Sequence, residues 1–239
     1  HSGDNNLLGY MKASPDGSRL AVALYESQSV EIFNFDRETG QVTAPLVSPP
    51  DYEGAYGLEF SPDNSKLYLT TLDYANMIPA FPSLLYQFDL GAANVFGSAT
   101  VIDTADSGFR WAGLQLGIDG RIYMAKSINA TNHSEYLGVV YNPNRPGLEC
   151  NFNMLGGAAG SEFFLGGKHS FWGLPNVVQS FVDCPHFTYD SVCAGDVTIF
   201  NLTNKANVDD AGWDFKDPSG TSNTADPLRP THRFSDEGQ

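Results

Sequence analysis

A strand–turn–strand unit repeats through the first half of the chain and restricts the fold more than any other feature. Its clearest copy runs Tyr56-Gly57-Leu58-Glu59-Phe60-Ser61-Pro62-Asp63-Asn64-Ser65-Lys66-Leu67-Tyr68-Leu69-Thr70. Leu58 and Phe60 flank polar Glu59, and Leu67 and Leu69 alternate with Tyr68 and Thr70. That is the two-residue period of half-buried strands. Pro62 presets the backbone of the first central turn position, while Asp63 and Asn64 tolerate turn geometry and bond their own backbone, so the arms form a hairpin.

Two further copies are Gly9 to Ala23, with the turn Ser14-Pro15-Asp16-Gly17, and Gly113 to Ala125, with the turn Ile118-Asp119-Gly120. The turn aspartates Asp16, Asp63 and Asp119 recur at roughly 50-residue spacing, in the range of four-stranded propeller blades. Each hairpin is followed by a third strand, at 30–36, 84–90 and 137–142, and the first two blades close with 41–43 and 99–103. The pair Gly173-Leu174 echoes Gly57-Leu58 and Gly113-Leu114, which makes His169 to Phe181 a final inner strand. A two-layer sandwich uses the same hairpins but has no need of the same turn in every repeat. The expected fold is all-β, with β-propeller blades over residues 1–183. Natural propellers close with four to eight blades, so these form an incomplete ring, truncated on the N-terminal side.

After Cys193 the pattern changes. Val197 to Leu202 and Gly212 to Phe215 read as strands of a second domain, 184–239, which stops short of a full sandwich of about seven strands.

Twenty-eight acidic residues against 13 basic ones give a formal charge of −15, which argues against nucleic acid or an anionic membrane as partner. No run of about 18 apolar residues is present, so no membrane span is expected. Of three cysteines, Cys184 and Cys193 are close enough to close a short disulfide loop. Cys150 either pairs with a cysteine beyond this chain or is a buried free thiol. The five histidines are dispersed and no C-x-x-C occurs, so no structural zinc site is expected, and no cofactor is expected.

Catalytic constellations are weak. Ser170 follows His169, but adjacent strand residues point to opposite faces and no G-x-S-x-G elbow surrounds them. The glycine-rich 155–161 lacks the Gly-Lys-Ser/Thr ending of a phosphate loop. Asp73, Asp103 and Asp106 are candidates for a divalent-metal face in the channel of a propeller, or simply turn residues. The loops leading into the inner strands and linking second to third strands carry Tyr52, Tyr56, Tyr74, Phe109, Arg110, Trp111, His133, His169 and Trp172. Flat rings with a few polar partners suit sugars, peptides or protein hot spots. Tyr56, Arg110, Trp111, His169 and Trp172 are the candidate ligand-binding residues; the structural alternative is that Trp111 and Trp172 pack between blades.

Ser14-Pro15-Asp16-Gly17 with Leu20-Ala21-Val22, and Ser61-Pro62-Asp63-Asn64 with Leu67-Tyr68-Leu69, resemble the repeat of WD40-like or YVTN-type propellers of bacterial surface proteins and lactonases. Trp213-Asp214-Phe215, then Asn223-Thr224 and Pro230-Thr231-His232-Arg233-Phe234 before Gly238, resemble the first part of a PKD domain, an Ig-like β-sandwich. Lys216 stands where that family has glycine. Together these features resemble the PKD-containing surface proteins of Bacteroidetes, a group associated with type IX secretion and gliding motility. The resemblance implies an extracellular protein, secreted or held at the outer-membrane surface, and no catalytic residues. The expected function is noncatalytic adhesion or recognition of a glycan or protein ligand. The alternatives are a lactonase-like metal-dependent hydrolase, or an architectural module bound to other subunits of a surface or secretion complex.

Overall fold

The computed structural model describes residues 8–72, 81–105, 109–127, 133–154, 163–175, 186–190, 197–203, 212–213, 215, 217, 221–222 and 229–234. The chain divides into two compact units, His1–Val182 and Asp183–Gln239. No α-helix occurs among the described residues.

Among its described residues the first unit contains three four-stranded antiparallel meanders. The first comprises β1 (Met11–Ala13), β2 (Arg19–Leu24), β3 (Ser29–Phe35) and β4 (Val42–Val47). The second comprises β5 (Ala55–Phe60), β6 (Lys66–Thr71), β7 (Leu84–Asp89) and β8 (Thr100–Thr104). The third comprises β9 (Arg110–Leu116), β10 (Ile122–Ser127), β11 (Gly138–Val140) and β12 (Phe152–Asn153). In each sheet the strands lie in chain order. Among the described residues the sheets do not form a closed ring.

The turns are built as the repeat requires. Gly17, Asn64 and Gly120 hold φ of +69°, +61° and +75°, at the same position of each hairpin. The Gly17, Asn64 and Gly120 N–H groups donate to the carbonyls of Ser14, Ser61 and Gly117. In the first two turns a serine hydroxyl donates to the aspartate, Ser14 to Asp16 at 2.6 Å and Ser61 to Asp63 at 2.7 Å. The turns also link the sheets: the Asp16 N–H donates to Asn64 Oδ1 and the Asp63 N–H to Asn144 Oδ1.

Packing departs from the half-buried expectation. Glu59, Tyr68 and Thr70 are as fully buried as the leucines beside them. The reason is that the sheets stack face to face, as propeller blades do. Leu67 and Leu69 of β6 pack with Ala21, Val30 and Ile32 of the first sheet, whereas Tyr68 packs with Trp111, Leu114 and Met124 of the third. A strand covered on both faces retains no solvent side. The outermost β4 is exposed along its length and carries Pro45, as an edge strand tolerates. Buried Cys150 joins the second core cluster and is a free thiol.

The second unit holds β13 (His186–Asp190), β14 (Val197–Thr203), β15 (Thr221–Ser222) and β16 (Thr231–Arg233), in the sheet order β13-β14-β16-β15. The rings of Phe187, Trp213, Phe215 and Phe234 all lie within 6.3 Å of the Phe200 ring. His232 Nε2 lies 3.1 Å from Asp217 Oδ2, and both side chains are buried. Gly212, Trp213 and Phe215 fall outside any strand, contrary to the strand expected there. Cys184 and Cys193, with their expected disulfide, lie outside the described residues, as does the glycine-rich segment 155–161.

Candidate recognition site

The inner strands of the second and third sheets share one irregularity. Between Ala55 and Leu58, β5 carries one residue more than the facing stretch of β6, and β9 does the same between Trp111 and Leu114 against β10. Such a bulge bends the strand and redirects its side chains. Gly57 and Gly113 occupy the two bulges because neighbouring groups press on them. A Cβ at Gly57 would lie 2.2 Å from the Ala112 carbonyl oxygen, and one at Gly113 would lie 2.2 Å from Tyr10 Oη. In the second and third sheets the glycine that marks the repeat is therefore the point where neighbouring inner strands meet.

Hydrogen bonds join these strands in sequence. Tyr10 N–H donates to the Tyr56 carbonyl at 2.8 Å, Thr70 Oγ1 to the Ala112 carbonyl at 2.6 Å, and Gly113 N–H to the Trp172 carbonyl at 2.9 Å. Tyr10 crosses from the first sheet to stand against Gly113 and Gly173. Burial raises its hydroxyl pKa, against a hydrogen bond from the Leu174 backbone. Farther along the strands, Lys12 Nζ lies 3.0 Å from Glu59 Oε2 and donates to Gln115 Oε1 at 2.9 Å. Glu59 also accepts the Phe60 and Leu116 N–H groups at 3.0 and 2.9 Å. Burial pushes the Glu59 carboxyl up, with Lys12 and these two donors pulling the other way. One carboxylate thus links the inner strands of all three sheets.

At the starting end of these strands the candidate residues separate into two groups. Trp111 is wholly buried, edge-on to Phe152 of its own sheet at 5.4 Å and clustered with Tyr68 and Leu85 of the second sheet, so it packs between sheets. Tyr56 is half-buried, with its ring 5.4 Å from Tyr10; burial, then Tyr10, pushes its hydroxyl up to about 12. It belongs to the junction of the inner strands. Arg110, His169 and Trp172 are brought to one region, together with His133 and Phe171. Arg110 faces Ser127 across the β9–β10 pair, and Ser127 in turn bridges to His133. The His133 ring lies 4.8 Å from Phe171 and 5.8 Å from His169, and Phe171 stacks on Trp172 at 4.3 Å. Ser170 anchors this segment, its hydroxyl donating to the Lys126 carbonyl and its backbone pairing with Ser134. His133 and His169 are exposed, and Phe171 and Trp172 half-exposed.

The segment 169–175 runs beside the third sheet, yet among its described residues only Ser170 forms a bridge, where a regular inner strand was expected. Asp103 lies on the outer strand β8, away from the inner strands that a channel metal would require. Asp73, Asp106 and Tyr74 lie outside the described residues, which contain no group of three or more His, Cys, Asp and Glu placed to hold a metal. No helix among them is long and apolar enough to cross a membrane.

No family profile and no curated protein matches the chain. Among solved structures it is similar to a protein from Lactobacillus plantarum, with 20% identity over 55% of this chain and 36% of that one, at a TM-score of 0.37. A prolyl endopeptidase matches with 13% identity over 97% of this chain and 28% of its own, at 0.40. Prolyl oligopeptidase B from Galerina marginata matches with 10% identity over 98% and 30%, also at 0.40. The chain thus spans about a third of the length of the solved structures it matches.

Proposed function

We propose that this chain is a noncatalytic recognition module of a secreted or cell-surface protein, binding a glycan or protein ligand at the starting end of its inner strands. Residues 1–183 serve as propeller blades that display the site, and 184–239 as a PKD-like spacer. The observation that carries this reading is the cluster of His133, His169, Phe171 and Trp172. Four rings sit together at an exposed end of stacked sheets, where amphipathic aromatics favour contact with a partner. The motif residues Trp213, Phe215 and Phe234 gather around Phe200, with His232 stacked on Phe215, which supports the PKD reading. Surface location and membership among PKD-containing surface proteins rest on the sequence resemblance.

The test is a glycan array followed by calorimetric titration of any ligand found, with Trp172→Ala and His169→Ala alongside. The expected result is a ligand whose affinity falls at least about tenfold in Trp172→Ala while the melting temperature holds, as for an interface anchor. A ligand bound equally well by both variants places recognition elsewhere and refutes this assignment.

A further inference from the structure

Arg110 is the first residue of β9 and Ser127 the last of β10, and they are direct cross-strand partners. Such partners project on the same side of a sheet, so guanidinium and hydroxyl share one side. Both residues are 0% exposed. Arg110 Nε, Nη1 and Nη2 and Ser127 Oγ have no hydrogen-bond partner among the described residues. Arginine does not give up its proton in proteins, and a buried charge without a counter-ion is among the least favourable placements a side chain can have. Glu59, the buried carboxylate of the neighbouring inner strand, is already committed to Lys12. The guanidinium therefore calls for an anion from outside the described fold, and its planar fork matches a carboxylate.

From Ser127 the row continues to His133, then to His169, Phe171 and Trp172. It runs from a buried cation to exposed imidazoles and a half-exposed aromatic stack. A net charge of −15 repels a polyanion, so the chain favours a ligand with one carboxylate on a neutral body. We infer that the Arg110–Ser127 pair takes the carboxylate of an acidic sugar, a uronic acid within an otherwise neutral saccharide, with Phe171 and Trp172 bordering its ring. This inference rests on the recognition reading above and names the ligand class of the same site.

The test uses the full 239-residue chain in calorimetric titrations with methyl glucuronoside, neutral methyl glucoside and a short peptide with a free C-terminal carboxylate. The wild type is expected to bind the acidic sugar at least about tenfold more tightly than the neutral one, the worth of a charge-assisted hydrogen bond. Arg110→Met removes that preference and, without ligand, melts at or above the wild-type temperature, because an unpaired buried charge has been replaced by an apolar chain of similar length. A ligand-free Arg110→Met that melts well below wild type, with Asp73→Asn or Asp106→Asn reproducing the loss, assigns the guanidinium to a carboxylate of the chain and overturns the inference. Tighter binding of the peptide overturns the sugar assignment. Equal binding of both sugars, abolished by Trp172→Ala, overturns the carboxylate assignment and leaves the recognition reading standing. Binding of none of these compounds overturns the inference, whereas a ligand found on the array would still uphold recognition.

Discussion

Replacing Glu59 with glutamine tests whether one buried carboxylate holds three sheets together. The substitution keeps the shape of the side chain but removes the charge 3.0 Å from Lys12 Nζ. It also turns an NH2 toward the Phe60 or the Leu116 N–H, both of which now donate to the carboxylate. Because burial pushes the Glu59 carboxyl up, the ion pair is not in itself a source of stability. The cost arises from the ammonium left beside a neutral amide. Breaking one side of a buried pair costs about 3–5 kcal/mol. Lys12 is 11% exposed and keeps Gln115, which places this case at the lower end, near 3 kcal/mol. For a unit of this size that corresponds to a fall of about 6–12 °C in Tm. Urea unfolding followed by Trp111 and Trp172 fluorescence, in a Trp213→Phe background that silences the second unit, measures it. Lys12→Met combined with Glu59→Gln is expected to recover about half of the loss, since the unpaired ammonium is removed while the amide oxygen still accepts one of the two buried N–H groups. A loss below about 1 kcal/mol in Glu59→Gln, or a double variant weaker than the single, refutes the reasoning.

The remaining predictions concern the repeat glycines and the turns. Gly57→Ala drives a Cβ into the Ala112 carbonyl and is expected to cost on the order of 3 kcal/mol, whereas Gly113→Ala meets first the tip of the Tyr10 side chain, with the Trp172 carbonyl oxygen 3.1 Å away, and costs about 1–2 kcal/mol; paired denaturation curves rank them. Asn64→Ala at φ +61° is expected to lose about 1 kcal/mol more than Asn64→Gly, both forfeiting the bond from the Asp16 N–H, as read from the same curves. Burial works to raise Asp16 and Asp63, but the Ser14, Ser18, Ser61 and Ser65 donors outweigh it and hold both carboxyls below the usual range. Their stabilising contribution is complete above the unfolded-state value of about 4 and is lost as pH falls through the lower folded values, so Tm should drop in that acid window and drop less in Asp16→Asn/Asp63→Asn.

The hairpins were legible because their turns depend on local chemistry. Pro15-Asp16-Gly17 and Pro62-Asp63-Asn64 satisfy their own backbone within a few residues, so the sequence alone determines the reversal. Burial of Glu59 and Thr70 was not legible, because strand alternation records only one apolar face and cannot report a second sheet stacked on the other. Trp111 shows the same limit: a large ring near a loop suits either a ligand or a neighbouring sheet, and Tyr68 and Leu85 of the second sheet, far along the chain, decide for packing. Ser127 was missed because of register. Counting outward from the Leu116–Ile122 pair pairs Ser127 with Trp111, but the bulge before Leu114 shifts the partner to Arg110. The conjunction of His133 with His169 and Phe171 depends on the Ser134–Ser170 bridge, a long-range contact that no spacing reveals.

The most direct test of the recognition site is to follow the imidazole resonances of the five histidines by NMR during titration with methyl glucuronoside. His133 and His169 stand at the mouth of the row, whereas His186 and His232 belong to the second unit. The expected result is saturable movement of the His133 and His169 signals, with His186 and His232 unchanged. Saturable binding that leaves His133 and His169 unmoved, or moves the second unit's histidines instead, contradicts the site.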